Sequence, residues 1–177
     1  MIDDMDQLDS LTDDQLWEAA ADTRNQPDIR LEAIQRWLFP EEINLMGLNA
    51  VGLGMAALFE HRGVKKRIVV GHDYRSYSGE VKQALMMGLL AGGAEVHDIG
   101  LALSPMAYFA QFALDVEGVA MVTASHNDNG WTGIKMGFQR PLTFGPEEMT
   151  ALKEIVLAGE CRTARFPSAR TSRRGRR

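Results

Sequence analysis

The run from Val122 to Gly137, VTASHNDNGWTGIKMG, places several reactive side chains in one short stretch that glycines interrupt. Ser125, His126 and Asn127 are consecutive and offer a hydroxyl, an imidazole and an amide, and Lys135 follows the serine by ten residues. A small hydroxyl residue among successive loop N–H groups can form an anion nest, and a lysine on the next strand can add positive charge to it. These residue types favour a phosphate-binding loop.

Other interpretations of the same loop use different chemistry. A hydrolase pair of Ser125 and His126 is disfavoured, because adjacent residues in an extended chain point in opposite directions. A calcium loop needs an acid at its first position and a glutamate at its twelfth, where this chain has Ser125 and Met136. His126 and Asn127 could instead be turn residues that hydrogen-bond the local backbone, and the residues alone leave that interpretation open.

The segments before this loop alternate between strand and helix patterns. The predicted order is strand, helix, strand, helix, strand, at 67–72, 79–93, 94–100, 104–114 and 118–123. We expect Ser104 to cap the second helix and Pro105 to occupy its first position. Strands joined by helices of this length are parallel and have right-handed crossovers, so their carboxyl ends share one edge of the sheet.

Two elements after the loop complete the predicted sheet and its cover. The run 133–138 predicts a fourth strand, antiparallel because its connection is too short for a crossover. The run 146–159 predicts a final helix that begins at Pro146. Together these patterns predict an α/β fold with a mixed, mainly parallel, four-stranded sheet.

A further helix is predicted directly after Pro40, with two glutamates in its first turn and a largely buried surface. Glycine is unfavourable inside a helix, so Gly52 and Gly54 indicate close backbone packing there. The spacing Gly52-x-Gly54-x-x-Ala57 also matches a dinucleotide-binding fingerprint. We reject that match, because the fingerprint needs a strand before it and a helix after it.

Ligands of open parallel sheets bind outside the carboxyl ends of the strands. In this chain the residues that follow the first strand include Asp73 and Arg75, and the Ser125 loop follows the third strand. We therefore expect these groups to converge at one edge. The alternative is that Asp73 and Arg75 form a surface ion pair, and that Tyr74 and Trp131 only pack.

Composition and charge limit the classes of function. The 177 residues contain one cysteine, Cys161, which excludes an internal disulfide and favours a cytoplasmic location. The chain divides into an acidic segment at 1–35 with a short helix opened by a capping box at Thr12, a domain at 36–159, and a basic tail at 160–177 predicted to be disordered. The first 159 residues hold 12 basic and 23 acidic groups, which disfavours nucleic acid as a partner. The apolar runs are too short for a membrane span.

The sequence Thr123 to Asn127, TASHN, followed by Gly133-Ile134-Lys135, resembles the phosphoserine loop of the α-D-phosphohexomutases, the phosphomannomutase and phosphoglucomutase family. The pattern of that loop is threonine-alanine-serine-histidine-asparagine-proline, with a glycine-x-lysine at this spacing. The run VVGHDYRSYS at 69–78 is similar to the family's glycine-arginine-aspartate-x-arginine-x-serine turn. The resemblance covers about residues 36–159 and implies the family's first domain, a three-layer α/β/α unit.

The resemblance also implies a mechanism in which Ser125 carries a phosphoryl group between the 1- and 6-positions of mannose or glucose phosphate. A hexose 1,6-bisphosphate would be the activator, and phosphorylated Ser125 would be one ligand of Mg²⁺. Lys135 would assist proton transfer or stabilise charge, and His126 would shape the loop at the reacting serine. The expected phosphate-binding and orienting residues are Arg36, Asp73, Arg75 and Asn127.

Some positions depart from the family pattern. Asp128 replaces the usual proline, Thr132 replaces an asparagine, and the run AIQRW at 33–37 keeps only Arg36 of a tyrosine-aspartate-isoleucine-arginine segment. The family's three further domains have no counterpart in these 177 residues. We therefore expect a fragment that is inactive alone and that self-associates through surface which other domains would cover. The alternatives are a non-catalytic phosphate-binding or assembly module and a flavodoxin-like nucleotide binder.

Overall fold

The computed structural model describes residues 34–159, 161 and 163. The predicted helix near Thr12 lies outside these residues, as does nearly all of the basic tail. The elements in chain order are β1 (Ile34–Leu38), α1 (Leu45–His61), β2 (Arg67–His72), α2 (Ser78–Ala91), β3 (Glu95–Leu101), α3 (Ser104–Ala113), β4 (Gly118–Val122), β5 (Trp131–Gly137) and α4 (Pro146–Ala158). Within the described residues, no helix combines the length and the apolar character needed to cross a bilayer.

The five strands form one mixed sheet in the order β1-β5-β4-β2-β3. Strand β2 lies between β3 and β4 and is parallel to both, while β5 is antiparallel to β4. This arrangement confirms the predicted α/β class and the antiparallel direction of the strand after the Ser125 loop. The predicted number of four strands is wrong, because β1 adds a fifth strand, antiparallel to β5, at the edge.

Helices cover both faces of the sheet and make two separate cores. Helices α1, α2 and α4 lie on one face, where the larger core includes Phe59 and Met55 of α1 and Ile134 of β5. Helix α3 lies on the other face, where Ala107 packs against Val119 and Met121. The three-layer arrangement is the predicted one.

Three helices begin at different residues from those predicted, and α2 differs by a single residue, since it begins at Ser78. Helix α1 begins at Leu45, because the side chain of Asn44 accepts hydrogen bonds from the N–H groups of Met46 and Gly47, each at 3.0 Å. The two predicted first-turn glutamates therefore precede the helix. Helix α3 begins at Ser104 itself, and the N-cap position belongs to Leu103.

Glycines allow α1 and α2 to approach each other closely. A Cβ atom on Gly52 of α1 would lie 2.1 Å from the carbonyl oxygen of Leu85, and one on Gly88 of α2 would lie 2.0 Å from the carbonyl oxygen of Asn49. Backbone cannot yield to such a contact without separating the helices. The close packing predicted at Gly52 is thus present, and Gly88 supplies its counterpart on the opposing helix.

The Gly88→Ala substitution should lower the free energy of unfolding by about 1–3 kcal/mol, because its Cβ overpacks the α1–α2 contact. The matched control is Gly79→Ala in the same helix, where a Cβ would meet only the ring of His72 at 4.0 Å. That substitution should cause no loss of stability. Urea unfolding of both variants measures the difference, and equal stability of the two would contradict the packing argument.

Candidate active site

The Ser125 loop leaves β4 beside the turn that follows β2. The N–H of Asp73 donates to the carbonyl oxygen of Val122 at 3.0 Å, and the N–H of Thr123 donates to the carbonyl oxygen of Gly133 at 2.9 Å. The loop and the turn are therefore in register at the carboxyl edge, as the sequence predicted. The first residue of the turn and the first residue of the loop thus each donate a hydrogen bond to a neighbouring strand.

Ser125 has an unusual backbone and an accessible side chain. Its φ is 57°, in the left-handed region, and the residue is exposed. The N–H of Ser125 donates to the hydroxyl oxygen of Thr123 at 3.0 Å, which stabilises the tight turn. Because Ser125 is not extended, the argument that it and His126 point in opposite directions is wrong. The hydroxyl oxygen and the Nδ1 atom of His126 are 3.5 Å apart.

A buried ion pair lies directly behind the loop. Asp73 and Arg75 are 7% and 6% exposed, and the guanidinium of Arg75 donates to the carboxylate of Asp73. Arg75 also donates to the backbone carbonyl oxygen of Asn127 at 2.5 Å, so it links the pair to the loop. The interpretation of Asp73 and Arg75 as a surface ion pair is therefore wrong. Arg75 holds the loop through backbone, at a position two residues beyond Ser125.

Hydrogen bonds keep the Asp73 carboxylate charged inside this cluster. Burial raises the pKa of Asp73, but the hydroxyls of Ser78 and Thr123, the N–H of Arg75 and the Arg75 charge lower it by more. The net pKa lies below the ordinary value for an aspartate. The hydroxyl of Ser78 donates to the carboxylate at 2.6 Å. Asp73 is thus a fixed negative charge at neutral pH.

The far end of the loop is held by a tyrosine that the sequence reasoning missed. The hydroxyl of Tyr77 accepts from the N–H of Gly130 and donates to the carbonyl oxygen of Trp131, both at 2.8 Å. Its ring stacks on Phe39 with centroids 5.3 Å apart, and the N–H of Phe39 donates to the carbonyl oxygen of Gly130 at 2.8 Å. An aromatic residue in the turn after β2 was the available signal, since that turn was already assigned to the site edge.

Lys135 and Arg36 lie in the sheet beside the loop. Arg36 of β1 is directly opposite Gly133, and Lys135 of β5 is opposite Met121. Side chains alternate along a strand, so Arg36 and Lys135 share the face opposite to the core residue Ile134, as diagonal neighbours about 7–8 Å apart. Lys135 is 6% exposed. The structure therefore places both cations one or two strands from the start of the loop.

Magnesium would need ligands from beyond this cluster. Among the described residues there is no group of three or more histidine, cysteine, aspartate or glutamate side chains that could hold a metal ion. Magnesium prefers oxygen ligands in octahedral geometry and commonly takes several from substrate phosphates and water. An exposed serine oxygen that carries a phosphate fits one position of such a shell.

Asp73→Asn should lower the free energy of unfolding by about 3–5 kcal/mol at pH 7, because it leaves Arg75 buried without its charge partner. The folded-state pKa of Asp73 is lowered, so its stabilising effect is complete above about pH 4 and is lost as the pH falls through the folded pKa. The difference between wild type and variant should therefore shrink as the pH falls below about 4. Urea unfolding across this range measures it.

Asp128→Asn is the matched control for that measurement, because Asp128 is exposed at the tip of the same loop. Its unfolding free energy should follow that of the wild type at every pH. A difference between wild type and Asp73→Asn that stays constant with pH would contradict the assignment of a charged, hydrogen-bonded carboxylate at position 73.

Comparison with known proteins identifies relatives of this domain. The chain is 34% identical over 136 residues to a protein named "Phosphohexose mutases" from Xanthomonas campestris. The alignment covers 76% of this chain and 29% of that protein. It is 39% identical over 90 residues to a probable phosphoglucosamine mutase of Pyrococcus abyssi, covering 51% of this chain and 20% of the relative. The chain thus spans less than a third of the length of these curated relatives.

Solved structures with the same fold come from similar proteins. A phosphoglucomutase/phosphomannomutase family protein of Burkholderia thailandensis superposes with a TM-score of 0.69 at 25% identity, over 76% of this chain and 31% of that one. The family model for phosphoglucomutase/phosphomannomutase, alpha/beta/alpha domain I, matches residues 32–162. The chain therefore belongs to the phosphoglucomutase/phosphomannomutase family, of which it contains the first α/β/α domain.

Proposed function

We propose that this domain carries the phosphoserine loop of a phosphohexomutase and that Ser125 is the group that accepts and returns the phosphoryl group. The complete reaction would move a phosphoryl group between the 1- and 6-positions of a hexose phosphate. The observation that carries the proposal is the exposed hydroxyl of Ser125 on a loop that is held at both ends, in a chain of this family. Mannose and glucose phosphates are the proposed substrates.

The transfer step can be written in full for a hexose 1,6-bisphosphate donor. A bond forms between Ser125 Oγ and phosphorus, and the bond between phosphorus and a sugar oxygen breaks. The serine proton passes to a base, and the sugar oxygen leaves as a hydroxyl with a proton. The His126 Nδ1 atom, 3.5 Å from Ser125 Oγ, is positioned to take the serine proton. We assign Lys135 to charge stabilisation at the reacting oxygens.

The product of this step brings a charge of about −1.5 to −2 to the loop. The proposed compensation comes from Mg²⁺, which would take an oxygen of the phosphoserine as a ligand, and from the nearby cations Lys135 and Arg36. The positive charge of Arg75 is largely neutralised by Asp73, and the second terminal nitrogen of its guanidinium donates to the backbone carbonyl oxygen of Asn127. We therefore assign Asp73, Arg75 and Asn127 to positioning of the loop more than to direct contact with substrate phosphate.

A complete cycle is proposed to need partners for this domain. The curated relatives are three to five times as long as their match to this chain, so sugar recognition and the other metal ligands are assigned to parts of those proteins that these residues do not match. In this proposal, the chain alone performs the Ser125 half-reaction and does not turn over substrate. Hexose 1,6-bisphosphate would be both the phosphoryl donor and the activator.

The apolar surface around α3 supports the predicted self-association of the chain. Leu101, Leu103, Met106 and Phe109 are each more than half exposed and lie on consecutive elements, and Phe112 extends the same helix. The helix carries no charged residue, and exposed apolar surface of this kind commonly marks a contact with other protein. We propose this surface as the site of self-association.

Incubation with glucose 1,6-bisphosphate and Mg²⁺ should place phosphate on Ser125, as located by mass spectrometry of proteolytic peptides. Ser125→Ala should abolish the labelling, because no other residue would then offer the accepting hydroxyl at this position. Ser76→Ala is the matched control, since Ser76 is exposed in the neighbouring turn and should not change the labelling.

The same experiment distinguishes the competing function. A non-catalytic phosphate-binding module would bind the bisphosphate without forming a covalent product. The labelling is repeated in the presence of the part of the Xanthomonas relative that lies beyond its match to this chain. No phosphoserine at position 125 under either condition would contradict the proposed function.

A further inference from the structure

We propose that Tyr77 is a positioning residue for Ser125, which holds the far end of the phosphoserine loop through its hydroxyl group. This inference rests on the proposed function of Ser125. Tyr77 lies outside the loop, in the turn between β2 and α2, and it is half-buried. The family resemblance assigned no role to Tyr77, and this chain has a tyrosine where the turn pattern of the family has a serine.

The Tyr77 hydroxyl uses both of its hydrogen-bonding capacities on the same short piece of backbone. It accepts the N–H of Gly130 and donates to the carbonyl oxygen of Trp131, each at 2.8 Å. Trp131 begins β5, so these bonds fix the point at which the loop rejoins the sheet. Stacking on Phe39 fixes the tyrosine ring, and the N–H of Phe39 donates to the carbonyl oxygen of Gly130.

The loop needs such a contact because its own residues do not determine its path. Gly130 has a φ of 102°, which glycine adopts at little cost, and a Cβ there would meet nothing within 4 Å. The near end is held by Arg75 through the carbonyl oxygen of Asn127. Without the Tyr77 hydroxyl, the hydrogen bonds left at this end of the loop would be the one from the Phe39 N–H to the Gly130 carbonyl oxygen, at 2.8 Å, and the weak one from the Trp131 N–H to the Asp128 carbonyl oxygen, at 3.4 Å.

In the turn between β2 and α2, two adjacent residues contact different parts of the site. Counted from Gly71, the serine of the glycine-arginine-aspartate-x-arginine-x-serine pattern falls at position 77, where this chain has a tyrosine. Ser78 makes the contact to Asp73 one residue later, at 2.6 Å. Adjacent residues therefore hold the buried carboxylate and the far end of the loop, so that one turn fixes both sides of Ser125.

The test is the rate at which glucose 1,6-bisphosphate phosphorylates Ser125 in wild type and in Tyr77→Phe, measured over a range of donor concentrations. Phenylalanine keeps the ring on Phe39 and removes only the hydroxyl. The maximal rate should fall roughly 10- to 100-fold, because small displacements of a reacting group carry penalties of this size. The half-saturating donor concentration should stay unchanged, since Tyr77 does not contact the donor.

Hydrogen exchange of the loop amides provides a readout that does not need phosphorylation. Amides of residues 124–131 should exchange roughly tenfold faster in Tyr77→Phe, while amides of the β2 and β4 strands keep their wild-type rates. Tyr74→Phe is the matched control, since Tyr74 lies in the same turn but is 81% exposed. It should change neither the phosphorylation rate nor the exchange.

The outcomes separate this inference from the proposed function. Wild-type labelling with an unchanged maximal rate in Tyr77→Phe overturns the positioning role and leaves the function of Ser125 standing. Absence of labelling in the wild type overturns the function. In that case hydrogen exchange in Tyr77→Phe is the remaining test of the Tyr77 contact: faster exchange of the loop amides supports the contact, and unchanged exchange overturns it.

Discussion

The carboxylate of Asp73 is the charge on which the conformation of the Ser125 loop depends. It is buried, and it gathers hydrogen bonds from Ser78, from the Arg75 backbone and from the Arg75 guanidinium, which in turn holds the Asn127 carbonyl oxygen. A buried charge is tolerated only when it is paired and hydrogen-bonded, so these partners are fixed relative to one another. The cluster holds the loop through the Asn127 carbonyl oxygen, while Ser125 stays exposed.

The sheet and its helices bring this cluster to the right place. Parallel β2 and β4 end at the same edge, and the antiparallel return through β5 carries Lys135 back beside the loop. The close approach of α1 and α2 at Gly52 and Gly88 helps to cover the larger core. The exposed hydroxyl of Ser125 thus lies on a loop that the buried Asp73 and Arg75 hold from the turn after β2.

Elements with a strong local signal were predicted correctly from the sequence. The β2, β3 and β4 strands are short β-branched runs, and their helical connections force the parallel arrangement. β1 was missed because the strand it pairs with among the described residues is β5, about a hundred residues away, and five residues give no reliable period. The start of α1 was misplaced because Asn44, and not the preceding glutamates, supplies the cap.

The convergence of the Ser125 loop and the turn after β2 was predictable from the sequence, and their detailed geometry was not. The residue types of the loop and its motif identified Ser125, Asp73 and Arg75, but the left-handed backbone of Ser125 and the burial of the ion pair depend on tertiary contacts. Tyr77 was missed for the same reason, since its partners Phe39 and Gly130 are distant in sequence. Local patterns therefore nominated the residues, and long-range packing determines where they lie.

The central claim is that the loop presents Ser125 as a phosphoryl acceptor in surroundings that stabilise a doubly charged ester. Phosphorus-31 NMR of the phosphorylated chain, titrated with acid, tests it most directly through the second pKa of the phosphate. A free phosphoserine has a second pKa of about 6. The account predicts a single phosphoserine resonance with a second pKa below that value. A value at or above 6 would contradict it, because the phosphate would then receive no stabilisation from the loop and its cations.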